Sequence, residues 1–394
     1  MTIKYLKDVS VDGKKVLLRV DYNVPYDKQM SITDDTRITA TVPTIQHCID
    51  RKATIILVSH LGRPKGKPVP EMSLKPVARK LTEVLKKEVK FIETPLGEKL
   101  KAEIDALPAG SIVLLENIRF YPGEEKNDKE LGKQLASLCD VYVDDAFAAA
   151  HRGHSSNDAI TQYVKECAAG FLLQDEIEYF KKAMEKPERP LGAIIGGAKV
   201  SSKLEALNNI IPKVNFIIIG GGMAFTFLKA KGMEVGKSIL EEELVGTAKD
   251  IMKNAESKGV ELLLPVDVVI AKAFENESPR QVVPVDKIPA DSIGLDIGPE
   301  SVKLFSKKIK SAKTVIWNGP MGAFEMPNFA AGTNQIAETI ANSALLSIVG
   351  GGDSVTAVNQ AGVSEKISYI STGGGAFLEL LEGKKLPAIV ALDK

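Results

Sequence analysis

Net charge is the first thing this sequence lacks: 51 Lys and Arg stand against 51 Asp and Glu over 394 residues. With no global field, the chain is not drawn as a whole to nucleic acid or to a membrane surface, so any basic site has to be local. Cysteine is scarce. Cys48, Cys139 and Cys167 are odd in number and far from a CxxC spacing, which excludes a disulfide framework or a cysteine zinc site and fits a reducing compartment. Long apolar runs are missing too. No window reaches the ~18 apolar residues of a membrane span, and the start MTIKYLKDVSVDGKK scatters charges where a secretory signal needs an unbroken apolar stretch. The expectation is a cytoplasmic protein. No repeat and no low-complexity tract is visible.

Nucleotide and catalytic fingerprints are absent as well. There is no GxGxxG, which weakens a dinucleotide-dependent dehydrogenase. GMEVGKS (232–238) imitates a P-loop with three residues between its glycines instead of four, and no strand precedes it. No Ser–His–Asp or Cys–His arrangement stands out. His151 and His154 form an HxxH pair without an evident third ligand, which favours structural or supporting roles over metal.

What is present is alternation. Short Val- and Ile-rich runs recur with amphipathic segments between them, as parallel strands covered on both faces by helices require. Strands are expected at 16–20, 54–59, 89–92, 112–115 and 141–143, and again at 192–195, 216–219, 261–264, 314–317, 346–349 and 367–370. Helices are expected over 73–88, 241–259 and 167–190, the last ended by Pro187 and serving as a connector. The reading is α/β: two Rossmann-like domains, each a parallel sheet flanked by helices, joined by a hinge helix.

The residues after each strand change character midway. The first series ends in RVDYNVP, SHLGRP, ENIRF and DDAFAAAHRGH; the second ends in GGAK, GGGMAF, WNGPMGAFE, GGGD and TGGG. Ligands bind at the carboxyl ends of parallel strands, so two different binding faces are expected. On the first, Arg37, His60, Arg63, Arg119 and Arg152 supply guanidinium forks and an imidazole for a small phosphorylated acid, with Asp21 and Asn23 poised for hydroxyl groups. Any one of these is by default a solvated charge, or for Asp21 and Asn23 an Asx turn before Pro25. On the second, glycine loops leading into helices bare N–H groups to phosphate. One loop alone is more often a tight turn; several in strand–Gly–helix context favour phosphate. Lys199 and Lys203 share a face if a helix begins at Gly197. Asp353 can meet Mg²⁺ or cap its helix.

Together these motifs resemble the phosphoglycerate kinase family, in its order and spacing, through essentially the whole chain. GLDIGPES, GGAKVSSK and STGGGAFLELLEG add to the match. The resemblance implies a phosphotransferase acting on a carboxyl group: phosphoryl transfer between 1,3-bisphosphoglycerate and ADP, giving 3-phosphoglycerate and ATP with Mg²⁺, in glycolysis and gluconeogenesis, by a monomer whose domains close like a hinge. It implies a 3-phosphoglycerate domain over 1–167, the connecting helix over 168–186, a nucleotide domain over 187–375 and a segment returning to the first domain over 376–394. Asp21, Asn23, Arg37, His60, Arg63, Arg119 and Arg152 match the acid site. Gly197, Ala198, Lys199, Lys203, Gly221, Leu295, Asn318, Pro320, Glu325, Gly351, Gly352, Asp353 and Ser354 match the nucleotide site, with Leu295 near the adenine, Glu325 near the ribose and Asp353 on the metal. Catalysis falls to Arg37, Lys199, Lys203 and the N–H groups near Gly352 and Gly374. Departures from the family's commonest pattern are Ala148, Ala149, Gly153, Ser202 and Phe377. A carboxylate nucleophile is already ionised at neutral pH, so no general base is needed. A non-catalytic nucleotide sensor is the reading from another class, and intact Arg37, Lys199, Lys203 and Asp353 weigh against it.

Overall fold

The computed structural model describes residues 3–393. They fall into two compact units, residues 3–177 with 385–393, and residues 178–384. Each is built on a six-stranded parallel sheet.

In the first unit the strands are β1 (Lys15–Arg19), β2 (Thr54–Val58), β3 (Lys90–Ile92), β4 (Ile112–Leu115), β5 (Val141–Asp144) and β6 (Glu166–Ala169), in the order β3-β4-β2-β1-β5-β6. All five residues of β2 and all four of β4 and β5 are buried, which is why these runs read as continuous apolar stretches without alternation. The helix Lys75–Leu85 shows how the covering layer is encoded. Pro76 sits in its first turn, Val77, Ala78, Leu81 and Leu85 form the buried stripe, and Lys86 ends it at φ 52° in the left-handed region. That stripe packs into one core with Val16, Leu18, Ile55 and Val143.

The second unit carries β7 (Leu191–Ile195), β8 (Phe216–Ile219), β9 (Glu261–Leu263), β10 (Asp267–Ala271), β11 (Arg280–Pro284), β12 (Ile293–Ile297), β13 (Thr314–Asn318), β14 (Leu346–Val349) and β15 (Tyr369–Ile370). The main sheet runs β15-β14-β13-β7-β8-β9, and β11-β10-β12 form a small antiparallel sheet. Ile194, Phe216, Val315 and Trp317 from the main sheet meet Phe305 and Ile336 from its helices.

In both main sheets the first strand sits at the centre, the strands that follow it fill one side, and the chain then returns to its other side. The order therefore reverses between β1 and β5 and between β7 and β13, and the crevices that open there are where parallel sheets take ligands.

Several expectations are corrected. β6 went unread because ECAA has almost no Val or Ile, and the connecting helix starts only after it, at Phe171, and runs to Met184. The three strands of the small sheet went unread too. β10 follows β9 after three residues, too few for the crossover that a strand–helix alternation demands, and β11 is exposed at four of its five positions. Residues 376–384 do not return to the first unit. Their helix, Gly374–Leu381, is held in the second by Asn209 Nδ2 donating to Leu381 O at 2.7 Å and by the Lys384–Glu205 ion pair at 2.7 Å, and the return begins at Lys385.

Candidate functional site

The two crevices carry chemically distinct sets of residues. At the carboxyl ends of β1, β2, β4 and β5, Asp21 Oδ2 accepts from Arg37 Nη1 at 2.8 Å, while Asp21 Oδ1 accepts from Asn23 N at 3.0 Å, an Asx turn that fixes the loop after β1. Asn23 Oδ1 in turn accepts from Gly62 N at 2.9 Å, and Gly62 O accepts from Arg119 Nη1 at 2.7 Å. The loops after three strands are thus tied together by the side chains expected to face the ligand. Arg63 follows Gly62 on that pinned loop and is exposed. Arg152 is half-buried, its Nε 3.1 Å from His151 Nε2.

The electrostatics are those of an anion site. The charges of Arg19, Arg119 and Arg37 all reach His60, and those of Arg19, Arg119 and Arg152 all reach His154. Burial first, and then these cations, push the His60 imidazole well below its ordinary value and that of His154 down to about 3, so both rings are neutral at pH 7. Burial would raise the Asp21 carboxyl, but His60, Arg37, the Asn23 N–H and Arg19 together outweigh it and hold it below the usual range. Arg19 is the residue sequence reasoning passed over. It is fully buried, the last residue of β1, and its only signal is a cation closing an apolar run.

In the second unit Gly196 N donates to Asn318 O at 2.9 Å, Gly197 N to Pro320 O at 3.1 Å and Gly221 N to Met321 O at 2.9 Å, so the loops after β7, β8 and β13 form one floor. Gly221 has to be glycine. Its φ is +67°, and a Cβ there would lie 2.6 Å from Gly197 O and 2.7 Å from Gly197 N. Gly351, at φ +97°, likewise leaves room for the Asn318 amide, which a Cβ would approach to 2.7 Å. Asn318 Nδ2 donates to Gly350 O at 2.7 Å and Gly319 N to Ser354 Oγ at 2.6 Å, while Lys203 Nζ donates to Asn318 Oδ1.

Two cavities border this floor. One, of about 270 Å³, is lined by Lys203, Asn318, the first turn of helix Gly352–Gln360 with Asp353 and Ser354, and the start of helix Gly374–Leu381. Two helix N-termini and an ammonium group aimed at one space are an anion cradle. The other, of about 180 Å³, is largely apolar, with Phe225, Leu295, Pro320 and Glu325 in its wall, and Asp353 borders both. Burial lowers the Lys203 ammonium from its ordinary value, opposed by Asp353 and Glu382.

Lys199 and Lys203 do not share a helix face. Residues 199–203 are a turn, the helix begins at Leu204, and Lys199 is exposed while its neighbour Ser201 donates its N–H to Glu241 Oε2 at 3.0 Å. The family departures also find places: Phe377 is buried against Gly350, where a Cβ would meet its ring at 2.2 Å, and a Cβ on Gly153 would lie 2.9 Å from Asp158 Oδ2.

A glycine-built anion cradle beside an apolar slot, in a chain of two doubly wound α/β units, defines a nucleotide-dependent phosphotransferase. A family model described as phosphoglycerate kinase matches residues 6–384. The chain is similar over its full length to the phosphoglycerate kinases of Desulfosudis oleivorans and Geobacter metallireducens, at 54% identity to each, covering 99% of both. Among solved structures it superposes on the phosphoglycerate kinase of Coxiella burnetii with a TM-score of 0.92 at 42% identity, covering 99% of each chain. That of Pyrococcus horikoshii gives 0.84 at 30% identity, over 99% of this chain and 98% of the other. The chain belongs to the phosphoglycerate kinase family, and its activity is the glycolytic transfer of a phosphoryl group between 1,3-bisphosphoglycerate and ADP.

Proposed function

We propose that the first unit binds 3-phosphoglycerate through Asp21, Asn23, Arg37, His60, Arg63, Arg119 and Arg152, joined by Arg19, and that the second binds the nucleotide. The observation that carries this reading is the cradle around Lys203 and Asp353, where two helix N-termini meet. The apolar slot takes the base and sugar, with Leu295 against the adenine and Glu325 against the ribose, and the N–H groups of Gly352 and Gly374 meet phosphate oxygens.

Among the described residues no three His, Cys, Asp or Glu side chains gather to hold a metal. That fits Mg²⁺, which takes one or two carboxylates and otherwise the phosphates of its nucleotide. Asp353 is the carboxylate placed for it; the ion supplies charge neutralisation at the phosphates. Arg37 balances charge from the acid side, Lys203 from the nucleotide side, and Lys199, exposed on the loop after β7, joins it. The carboxylate of 3-phosphoglycerate attacks in line without a general base. Because the contributing groups come from both units, turnover requires them to close on their substrates. We place the enzyme in the cytoplasm as a monomer; no described helix is long and apolar enough to cross a membrane.

The test is turnover with ATP, Mg²⁺ and 3-phosphoglycerate, trapping the acyl phosphate by a coupled NADH-consuming reduction, with Asp353→Ala alongside. Rapid turnover that collapses in the variant is expected. Undiminished turnover in Asp353→Ala would remove Asp353 from the metal.

A further inference from the structure

Behind the acid site lies a buried polar chain that ends on His60. Glu124, wholly buried, accepts at Oε1 from the Ser156 hydroxyl at 2.6 Å and at Oε2 from Ser156 N at 3.0 Å. The Ser156 hydroxyl has spent its one proton on Glu124, so its oxygen faces Arg19 as an acceptor, and Arg19 Nε donates to it at 2.8 Å. Arg19 Nη1 donates to Val20 O, and Nη2 lies 3.2 Å from His60 Nδ1. A guanidinium has no lone pair to offer, so at that distance Nδ1 must be the acceptor and the ring proton sits on Nε2. Nε2 is 3.9 Å from Asp21 Oδ1, too long for a hydrogen bond, which leaves that N–H to an oxygen of the substrate.

We propose that Glu124 and Ser156 are positioning residues which, through Arg19, hold His60 as its neutral Nε2–H tautomer, so that the ring serves the acid site as a hydrogen-bond donor of fixed direction and not as a further cation. The proposal rests on the acid-site reading above only for the identity of the acceptor; the chain from Glu124 to His60 stands on its own distances. Its logic is polarity: the Glu124 carboxylate only accepts and the Arg19 guanidinium only donates, so the Ser156 hydroxyl between them has one arrangement open to it and His60 Nδ1 is left the acceptor role. The charged groups facing His60 are Arg19, Asp21, Arg119 and Arg37. Three are cations, so a second proton on the ring is disfavoured from every side but one.

The experiment is long-range ¹H–¹⁵N spectroscopy of the imidazoles in the full chain, which has four histidines, with His60→Gln to assign the signal. In the wild type His60 is expected to show the Nε2–H pattern and not to titrate between about pH 5.5 and 8. An Nδ1–H pattern, or a midpoint near the ordinary ~6.5, overturns the proposal whatever the variants do. In Ser156→Ala and Glu124→Gln the two tautomers should mix, and the KM for 3-phosphoglycerate should rise about tenfold with that for ATP unchanged, as for one well-made hydrogen bond lost. Unchanged His60 signals in both variants, each shown folded by circular dichroism, would also overturn it. Adding 3-phosphoglycerate separates the two readings: if the Nε2–H signal stays still while the tautomer is as stated, the acid-site reading fails and the buried chain stands.

Discussion

Gly221 and Arg37 show two ways in which a single residue commits this protein to its chemistry. Gly221 acts through what it lacks. A methyl group there meets backbone on two sides in a left-handed conformation, so Gly221→Ala is expected to cost upwards of about 2 kcal/mol in urea unfolding, well above an ordinary glycine-to-alanine change. Arg37 acts through charge. It is half-exposed and bonded to Asp21, whose buried carboxylate keeps the Asn23 N–H and a neighbouring cation, Arg19, when Arg37 is removed. Arg37→Ala should therefore melt like the wild type in circular dichroism while kcat falls by about a thousandfold, the scale of an arginine that neutralises a transferring phosphoryl group. A wild-type kcat would remove Arg37 from the chemistry. The arginines and glycines on both faces were legible in the sequence because each follows an apolar run. Glu124 and Ser156 were not, because nothing local distinguishes a buried Glu in GEEK from a solvated one.

At the scale of elements, the helix Phe171–Met184 is anchored by a carboxyl group under stress. Asp145 follows β5, is buried, and accepts from Leu173 N at 3.1 Å in the helix's first turn. Burial pushes it up to about 7 from an ordinary 3.8. Between those two values the folded chain keeps a proton that the unfolded chain has released, so stability falls as pH rises from about 4 to 7 and levels off above. Asp296, also raised to about 7 by burial, adds to the same slope. Asp145→Asn keeps the acceptor for Leu173 and cannot ionise, so its urea midpoint should vary less across that window than the wild type's. An equal slope would mean that Asp145 is ionised throughout. Elements of the main sheets were readable where burial is written as a Val and Ile run, and β6, buried but spelled ECAA, was not. The small antiparallel sheet was not, because its strands depend on partners far along the chain for their pairing.

For the whole molecule, residues 385–393 belong to a unit whose other part ends at Ile177, more than two hundred residues earlier in the chain. The helix Pro387–Leu392 packs against the first unit, with Ala388 N donating to Ala150 O at 3.1 Å and Leu386, Ile389 and Leu392 buried. Removing residues 385–394 deletes these three buried aliphatic side chains, whose burial contributes about 1.5–3 kcal/mol each, enough to consume much of a domain's margin. Calorimetry of the truncated chain should show the first unit melting markedly lower and the second unit's transition in place. Coincident shifts in both would mean that the segment stabilises them jointly.

The sequence by itself determined the α/β class, most strands of the two main sheets and the residues that crown them, because each is a local consequence of side-chain chemistry: burial periodicity, glycine where backbone comes close, arginine where a strand ends. Tertiary structure alone decided which of those residues face one another. Arg19 reaches His60 across 41 positions and Ser156 across 137, and Lys203 reaches Asn318 across 115. Such pairings are set by where parallel strands lie in a sheet, and strand order is fixed by the packing of all the helices together, not by any stretch of chain alone.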